Sequence, residues 1–191
     1  MMHRTVFLGV GVMFVVMAGE GLAEESAVEA AISDESVQLR ILLSGYGAGN
    51  SDELGLGLLL NESRDIVATG HYYFEPDELQ SRSLTVKAGP IAYAALLSTE
   101  NTDVFSVALG AEVRLELLRR QDVFVVAQAA YAPDIMSFGA ADNLMDLAAR
   151  IELPLTDRVI GFIGYRTFEI ELLNSSREIE ESAHLGIRYR F

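Results

Sequence analysis

Ala183-His184-Leu185-Gly186-Ile187-Arg188-Tyr189-Arg190-Phe191 closes the sequence in strict alternation. Ala183, Leu185, Ile187, Tyr189 and Phe191 share one parity, and His184, Gly186, Arg188 and Arg190 share the other. Successive side chains of a strand point to opposite faces, so this stretch has one apolar and one polar face. A surface helix would instead place its apolar residues three and four apart. The fold then turns on what each face of such strands meets.

Working back from this stretch, the same pattern defines ten segments: 37–46, 54–60, 66–74, 83–89, 91–97, 104–117, 123–131, 145–155, 159–172 and 183–191. Turn-forming residues separate them. Segment 104–117 is the clearest. Phe105, Val107, Leu109, Ala111, Val113 and Leu115 oppose Ser106, Ala108, Gly110, Glu112, Arg114 and Glu116. Ile91, Tyr93, Ala95 and Leu97 form the apolar face of their segment, and Pro90 is expected to end the ladder before it. A phase slip between Arg166 and Glu169 predicts a bulge. Residues 62–65, 89–90, 118–122 and 156–158 are short connections, whereas 47–53, 75–82, 98–103, 132–142 and 173–182 are longer. This alternation predicts turns on one side and loops on the other. An even strand number puts both ends of the domain on the turn side. A single bent strand through Pro90 would reduce the count to nine; eight is the other alternative, if early segments merge. Residues 24–35, EESAVEAAISDE, are acidic and poor in strand signals, which predicts a flexible leader ahead of a domain at 36–191.

The faces argue for a closed barrel. Arg40, Lys87, Glu112, Arg114, Glu116, Asp146, Arg150, Glu152, Arg188 and Arg190 fall on the polar parity of several segments. A sandwich core could not bury them, because an unpaired charge in a dry interior costs several kcal/mol or more. In a polar lumen, opposite charges pair and keep part of their hydration. The apolar parity then faces lipid, with a soluble lipocalin-like barrel as the competing architecture. Tyr46, Tyr72, Tyr73, Phe74, Tyr131, Tyr165 and Tyr189 lie near segment ends, as interfacial aromatics would. Hydrophobic residues make up 50% of the chain and mean hydropathy is +0.25, which suits a barrel apolar on its outside. With no cysteine there is no disulfide framework. The net charge of −14 argues against nucleic-acid binding.

The N-terminus predicts export. Met1-Met2-His3-Arg4 is basic, residues 5–18 are apolar, and Gly21-Leu22-Ala23 offers a small-residue cleavage site, so 1–23 read as a signal peptide. The apolar run falls short of the roughly 20 residues of a spanning helix. At the other end, Tyr189 and Phe191 resemble the terminal aromatic signal of bacterial outer-membrane barrels. That resemblance implies recognition by the barrel assembly machinery and surroundings of outer-membrane lipid and lipopolysaccharide. Leu54-Gly55-Leu56-Gly57, Lys87-Ala88-Gly89-Pro90, Ala130-Tyr131-Ala132-Pro133-Asp134 with Ser137, and Gly164-Tyr165-Arg166 resemble the YfaZ family of small outer-membrane proteins. Ala132 stands where that family has Ser, and Trp is absent. The resemblance implies an exported barrel of unassigned activity and transfers no catalytic residue.

Among chemically able residues, His71 and His184 both fall on inward parity. A lipid-modifying acyl transferase would need a Ser beside one of them in a recognisable motif, and none stands there. Lumen histidines bonded to Glu or Tyr are expected instead. Gly45-Tyr46-Gly47-Ala48-Gly49 lacks the following helix of a phosphate cradle and reads as loop. Glu112 and Glu116 flank Arg114 on one face, which predicts an ion-pair ladder. The longer connections carry Asp52, Glu53, Glu75, Asp77, Glu78, Glu100, Asp103, Asp134, Asp142, Glu178, Glu180 and Glu181 against Arg82 and Arg177. Such an acidic external rim would attract divalent cations. The expectation is a non-enzymatic envelope barrel without a cofactor; the alternatives are a narrow cation-preferring or small-solute pore, and a lipid-modifying enzyme.

Overall fold

Alternating apolar and polar residues do form strands throughout the chain. The computed structural model describes residues 26–45, 52–76, 81, 83–98, 102–118, 122–173 and 175–191. Residues 1–23, 46–49, 77, 78, 82 and 100, which carry the signal-peptide reading and parts of the loop readings, lie outside the described residues. The described residues form eleven strands: β1 (Ala27–Ser33), β2 (Ser36–Ser44), β3 (Glu53–Asn61), β4 (Ile66–Tyr73), β5 (Leu84–Leu97), β6 (Thr102–Leu118), β7 (Val123–Ala132), β8 (Ser137–Gly139), β9 (Ala141–Pro154), β10 (Val159–Leu172) and β11 (Ser175–Arg190). Hydrogen-bonded neighbours run β5-β4-β3-β2-β1-β11-β10-β9-β7-β6, and β5 pairs again with β6. The result is a closed antiparallel ring of ten strands, with short β8 flanking β6. Closure removes the unpaired edges that an open sheet of this size would expose.

The ten strands are not the ten segments of the sequence reading. Residues 27–33, expected in a flexible leader, form β1, which pairs with β11 from Ala27↔Arg190 to Ser33↔His184 and with β2 from Ala27↔Leu42 to Ile32↔Val37. Alanine and glutamate are poor strand formers, so β1 is made by its partners rather than by local preference. Conversely, segments 83–89 and 91–97 are one strand, β5. Pro90 stays within it because β6 supplies the ladder, with Pro90↔Leu109 in register. On the β4 side the named pairing ends at His71↔Ile91 and continues only as the Phe74–Ala88 bridge, so the missing N–H falls in a gap. Gly89 lets the chains close there: a Cβ would run into the Tyr72 carbonyl.

One strand gained and one lost preserve the count but reassign the ends. Connections after β2, β4, β6 and β9 share the end that holds Ser26 and Phe191, called here the terminal end; those after β1, β3, β5, β7 and β10 lie at the distal end. The expected split into short turns and long acidic loops is therefore not observed. Asp52 and Glu75 belong to the terminal end, whereas Asp134, Asp142 and Glu178 belong to the distal end.

Inside, polarity changes along the barrel axis. At the distal end Leu59, Val67, Leu97, Val104, Ala132, Leu144, Phe168, Ile170 and Ile179 form a buried cluster across the lumen. Ile91, Tyr93, Ala95 and Leu97 thus face inward, and so does Tyr73. The apparent phase slip near Arg166 has the same origin. β10 keeps its parity through Phe162, Arg166, Phe168 and Ile170, all buried, while the lumen changes from charged to apolar around it. A bulge does occur, but on β11: Phe168 pairs with Glu180 and Glu169 with Glu178, leaving Ile179 as the extra residue.

Outside, the wall is apolar. Leu56, Leu109, Ile163 and Leu185 are each more than half exposed, at 56%, 66%, 57% and 61%. Tyr72, Phe74, Tyr189 and Phe191 lie toward the terminal end of this wall, and Phe105, Tyr131, Phe138 and Tyr165 toward the distal end.

Candidate functional site

Glu29 on β1 organises the charged half of the lumen. Arg40 Nε on β2 donates to its Oε1 at 2.8 Å, and Arg40 Nη2 contacts the same oxygen. Arg150 Nη1 on β9 donates to Oε1 at 3.0 Å, while Arg188 Nε and Nη2 on β11 donate to Oε2 at 3.0 and 2.8 Å. Glu152 continues the network. Its Oε1 accepts from Arg150 Nε at 3.0 Å and lies 3.3 Å from Arg188 Nη2; its Oε2 is 3.1 Å from Arg114 Nη2. Phenylalanine rings spread three guanidinium groups across the barrel: Arg114 over Phe124 at 4.1 Å, Arg150 over Phe162 at 4.8 Å and Arg166 over Phe168 at 5.0 Å.

Two smaller groups flank this centre. Asp146 accepts from Arg166 Nε and Nη2 at 2.8 and 2.7 Å and from the Tyr93 hydroxyl at 2.9 Å. Arg166 Nη1 then reaches Glu180 at 3.4 Å, which also takes the Ser36 hydroxyl at 2.8 Å. Toward the terminal end Glu53 binds Lys87 Nζ at 3.0 Å and His71 Nε2 at 3.1 Å, with Glu75 3.8 Å from the same ammonium. At the distal end, Arg177 grips buried Asp65 at 2.9 and 2.6 Å, tying the upper part of β11 to the turn after β3.

Of the ten charges read from the sequence, Arg40, Arg114, Arg150, Glu152 and Arg188 meet in one network. Asp146 and Lys87 join the flanking groups. Glu112 contacts Gln128 rather than Arg114, so the expected Glu112–Arg114–Glu116 ladder does not form. Arg190 is exposed at the rim, where Nη2 donates to the Asp157 carbonyl at 3.1 Å, and it is no part of the lumen cluster. Glu116 lies near the end of β6, away from these pairs. Glu53 and Glu180, read as loop acids, are buried inside. Glu29, Glu53, Arg166 and Glu180 are the members missed. Arg166 and Glu180 share the inward parity of their strands, a signal obscured by the supposed slip; Glu29 was hidden by the leader reading.

The histidines separate in environment. His71 is bonded to Glu53 and stacks on Tyr73 with ring centroids 4.6 Å apart. Among the described residues, His184 Nδ1 has no hydrogen-bond partner, and its ring meets the edge of Phe162. Neither forms, among the described residues, the hydroxyl–imidazole–carboxylate relay of an acyl transferase.

Three spaces follow one another along the axis. A vestibule of about 780 Å³ opens at the terminal end, lined by Lys87, Arg114, Glu152, Asp157 and Arg190 among others. A narrow space of about 30 Å³ between Arg40, Lys87, Glu112 and Arg188 follows. The third, of about 60 Å³, lies between Glu29, Arg150, Arg166 and His184 and stops against Tyr93 and Ile91 of the apolar cluster.

No family model matches this chain, and no curated protein matches it. Solved structures do. A bacterial polysaccharide outer membrane secretin aligns over 82% of this chain and 56% of its own at TM-score 0.53 and 12% identity. The outer membrane channel DcaP of Acinetobacter baumannii aligns over 85% and 54% at TM-score 0.46 and 8% identity. The NanC porin aligns over 87% and 98% at TM-score 0.43 and 10% identity. The chain spans about half the length of the first two. At such identities the likeness is one of fold, that of an antiparallel outer-membrane barrel.

Proposed function

We propose that this protein is a bacterial outer-membrane barrel with a structural or interaction role, sealed against solute flow and without enzymatic activity. The apolar cluster across the distal lumen carries the reading, because the inner space ends against its Tyr93 and Ile91. The location rests on the exposed apolar wall and its aromatics at both ends, a surface that would be an aggregation liability in water. The resemblance to the YfaZ family supports the same reading.

Refolded protein in planar bilayers should show no discrete conductance steps, and cells should carry it in the outer-membrane fraction as a heat-modifiable band. Discrete steps from the unaltered chain would instead favour the narrow pore, for which the three spaces in series are the supporting observation. Replacing both Phe168 and Leu144 by Ala should create conductance where none existed. Each truncation costs about 2–5 kcal/mol of packing, so retention of the heat-modifiable form is measured alongside.

A further inference from the structure

At the distal end β11 outlasts its neighbour. Its pairing with β1 stops at Ser33↔His184, whereas its pairing with β10 continues to Leu172↔Ser175. Barrel strands are tilted, so the upper part of β11 crosses above the β1–β2 turn toward the turn after β3. Among the described residues no backbone pairing closes that edge, and side chains take the place of the ladder. Glu35 Oε2 accepts from the Glu181 amide at 3.0 Å, and Asn61 Nδ2 donates to the Ile179 carbonyl at 3.1 Å. Asp65, fully buried, is the hub of this seam. Its Oδ2 takes both Arg177 bonds and one from Asn61 Nδ2 at 3.1 Å, while Oδ1 takes the Ser98 amide at 2.8 Å. The turn after β3, the connection after β5 and the upper part of β11 thus meet on one carboxylate.

The seam also divides the apolar cluster. Leu144, Phe168, Ile170 and Ile179 ride on the upper parts of β9, β10 and β11, whereas Leu59, Val67, Leu97 and Val104 stand on β3 to β6. On the opposite side the two sets stay joined, because β8 pairs with β6 and leads through Ala140 into β9. One side is therefore a hinge and the other a clasp. Building on the sealed barrel above, we propose that Asp65 is a latch and its pair with Arg177 an autoinhibitory contact. The upper sheet of β9, β10 and β11 is a strap across the distal mouth. Releasing the latch carries its half of the plug away and opens the lumen to small ions.

The test uses the full refolded chain and Asp65→Asn, which keeps the side-chain shape but loses the charge that holds Arg177. In planar bilayers in potassium chloride the variant should show discrete steps where the unaltered chain shows none. The sequence has no cysteine, so a single one reports the strap directly. Ile179→Cys replaces a side chain that is 2% exposed, and adding Asp65→Asn should speed its reaction with a charged methanethiosulfonate by about tenfold or more. Leu42→Cys, buried in the narrow space toward the terminal end, should keep its rate. If Asp65→Asn does not give the heat-modifiable form, Arg177→Met takes its place in both measurements. Silent bilayers, an unchanged Ile179→Cys rate, or equal acceleration at Leu42→Cys would each overturn the latch and leave the sealed reading standing. Steps from the unaltered chain would overturn the sealed reading instead, and the two thiol rates would still decide the latch.

Discussion

Glu29→Leu should destabilise the folded barrel by about 3–5 kcal/mol, the usual cost of removing one partner from a buried ion pair. The substitution leaves Arg40, Arg150 and Arg188 around an isobutyl group, with Glu152 as the one carboxylate left to Arg150 and Arg188. Their side chains are 15%, 5% and 11% exposed, so water can hydrate them only in part. Glu112→Leu is the comparison, because its one described side-chain hydrogen bond is to neutral Gln128 and its loss should cost about 1–2 kcal/mol. Trp is absent, so unfolding in urea is followed by circular dichroism or by the heat-modifiable band. Adding Arg150→Met to Glu29→Leu should recover part of the loss, since it removes one of the four cations that Glu152 alone would then face. Equal midpoints for Glu29→Leu and Glu112→Leu would refute the central role given to Glu29.

The same residue shows what the sequence could and could not convey. Alternation from 104 to 117 and from 183 to 191 was sufficient for β6 and the second half of β11, because there the lumen is polar and the wall apolar; residues 175–182, read as a connection, are the first half of β11. Legibility failed where that contrast vanished. At the distal end both faces are apolar, which made residues 91–97 seem to face lipid and β10 seem to slip. In β1 the outward residues are Val28, Ala30 and Ile32, and the inward ones include Ala27 and Ala31, too weak a contrast to mark a strand. Its identity is non-local: β2 and β11 both lack a partner without it, and Glu29 is the carboxylate that Arg40 and Arg188 need. Seven of the eleven charged members, all but Glu29, Glu53, Arg166 and Glu180, were therefore named from parity alone, while the organising acid required the ring to be closed first. Pro90 misled for a related reason, since a proline ends a ladder only if its missing N–H faces a neighbour that needs it.

A chain without residues 26–33 should fail to form the compact, heat-modifiable barrel. Those residues supply seven register partners to β11 and six to β2. Their loss exposes two strand edges to one another across a gap in the wall, and unpaired backbone groups cannot be satisfied in hydrocarbon. Arg40 and Arg188 would also lose their shared carboxylate. If 26–33 were a dispensable leader, as their composition suggests, truncation would leave folding yield and gel mobility unchanged, and that result would sink the ring order with β1 between β2 and β11. Complementation separates the pairing role from the charge role. A synthetic peptide of sequence EESAVEAAISDE, added during refolding of the truncated chain, should restore part of the compact band by strand addition. The same peptide carrying Glu29→Leu should restore much less, because it repairs the ladder while leaving Arg40 without a carboxylate and Arg150 and Arg188 with Glu152 alone. Equal rescue by the two peptides would assign closure to backbone pairing alone and remove the ion network from the folding argument.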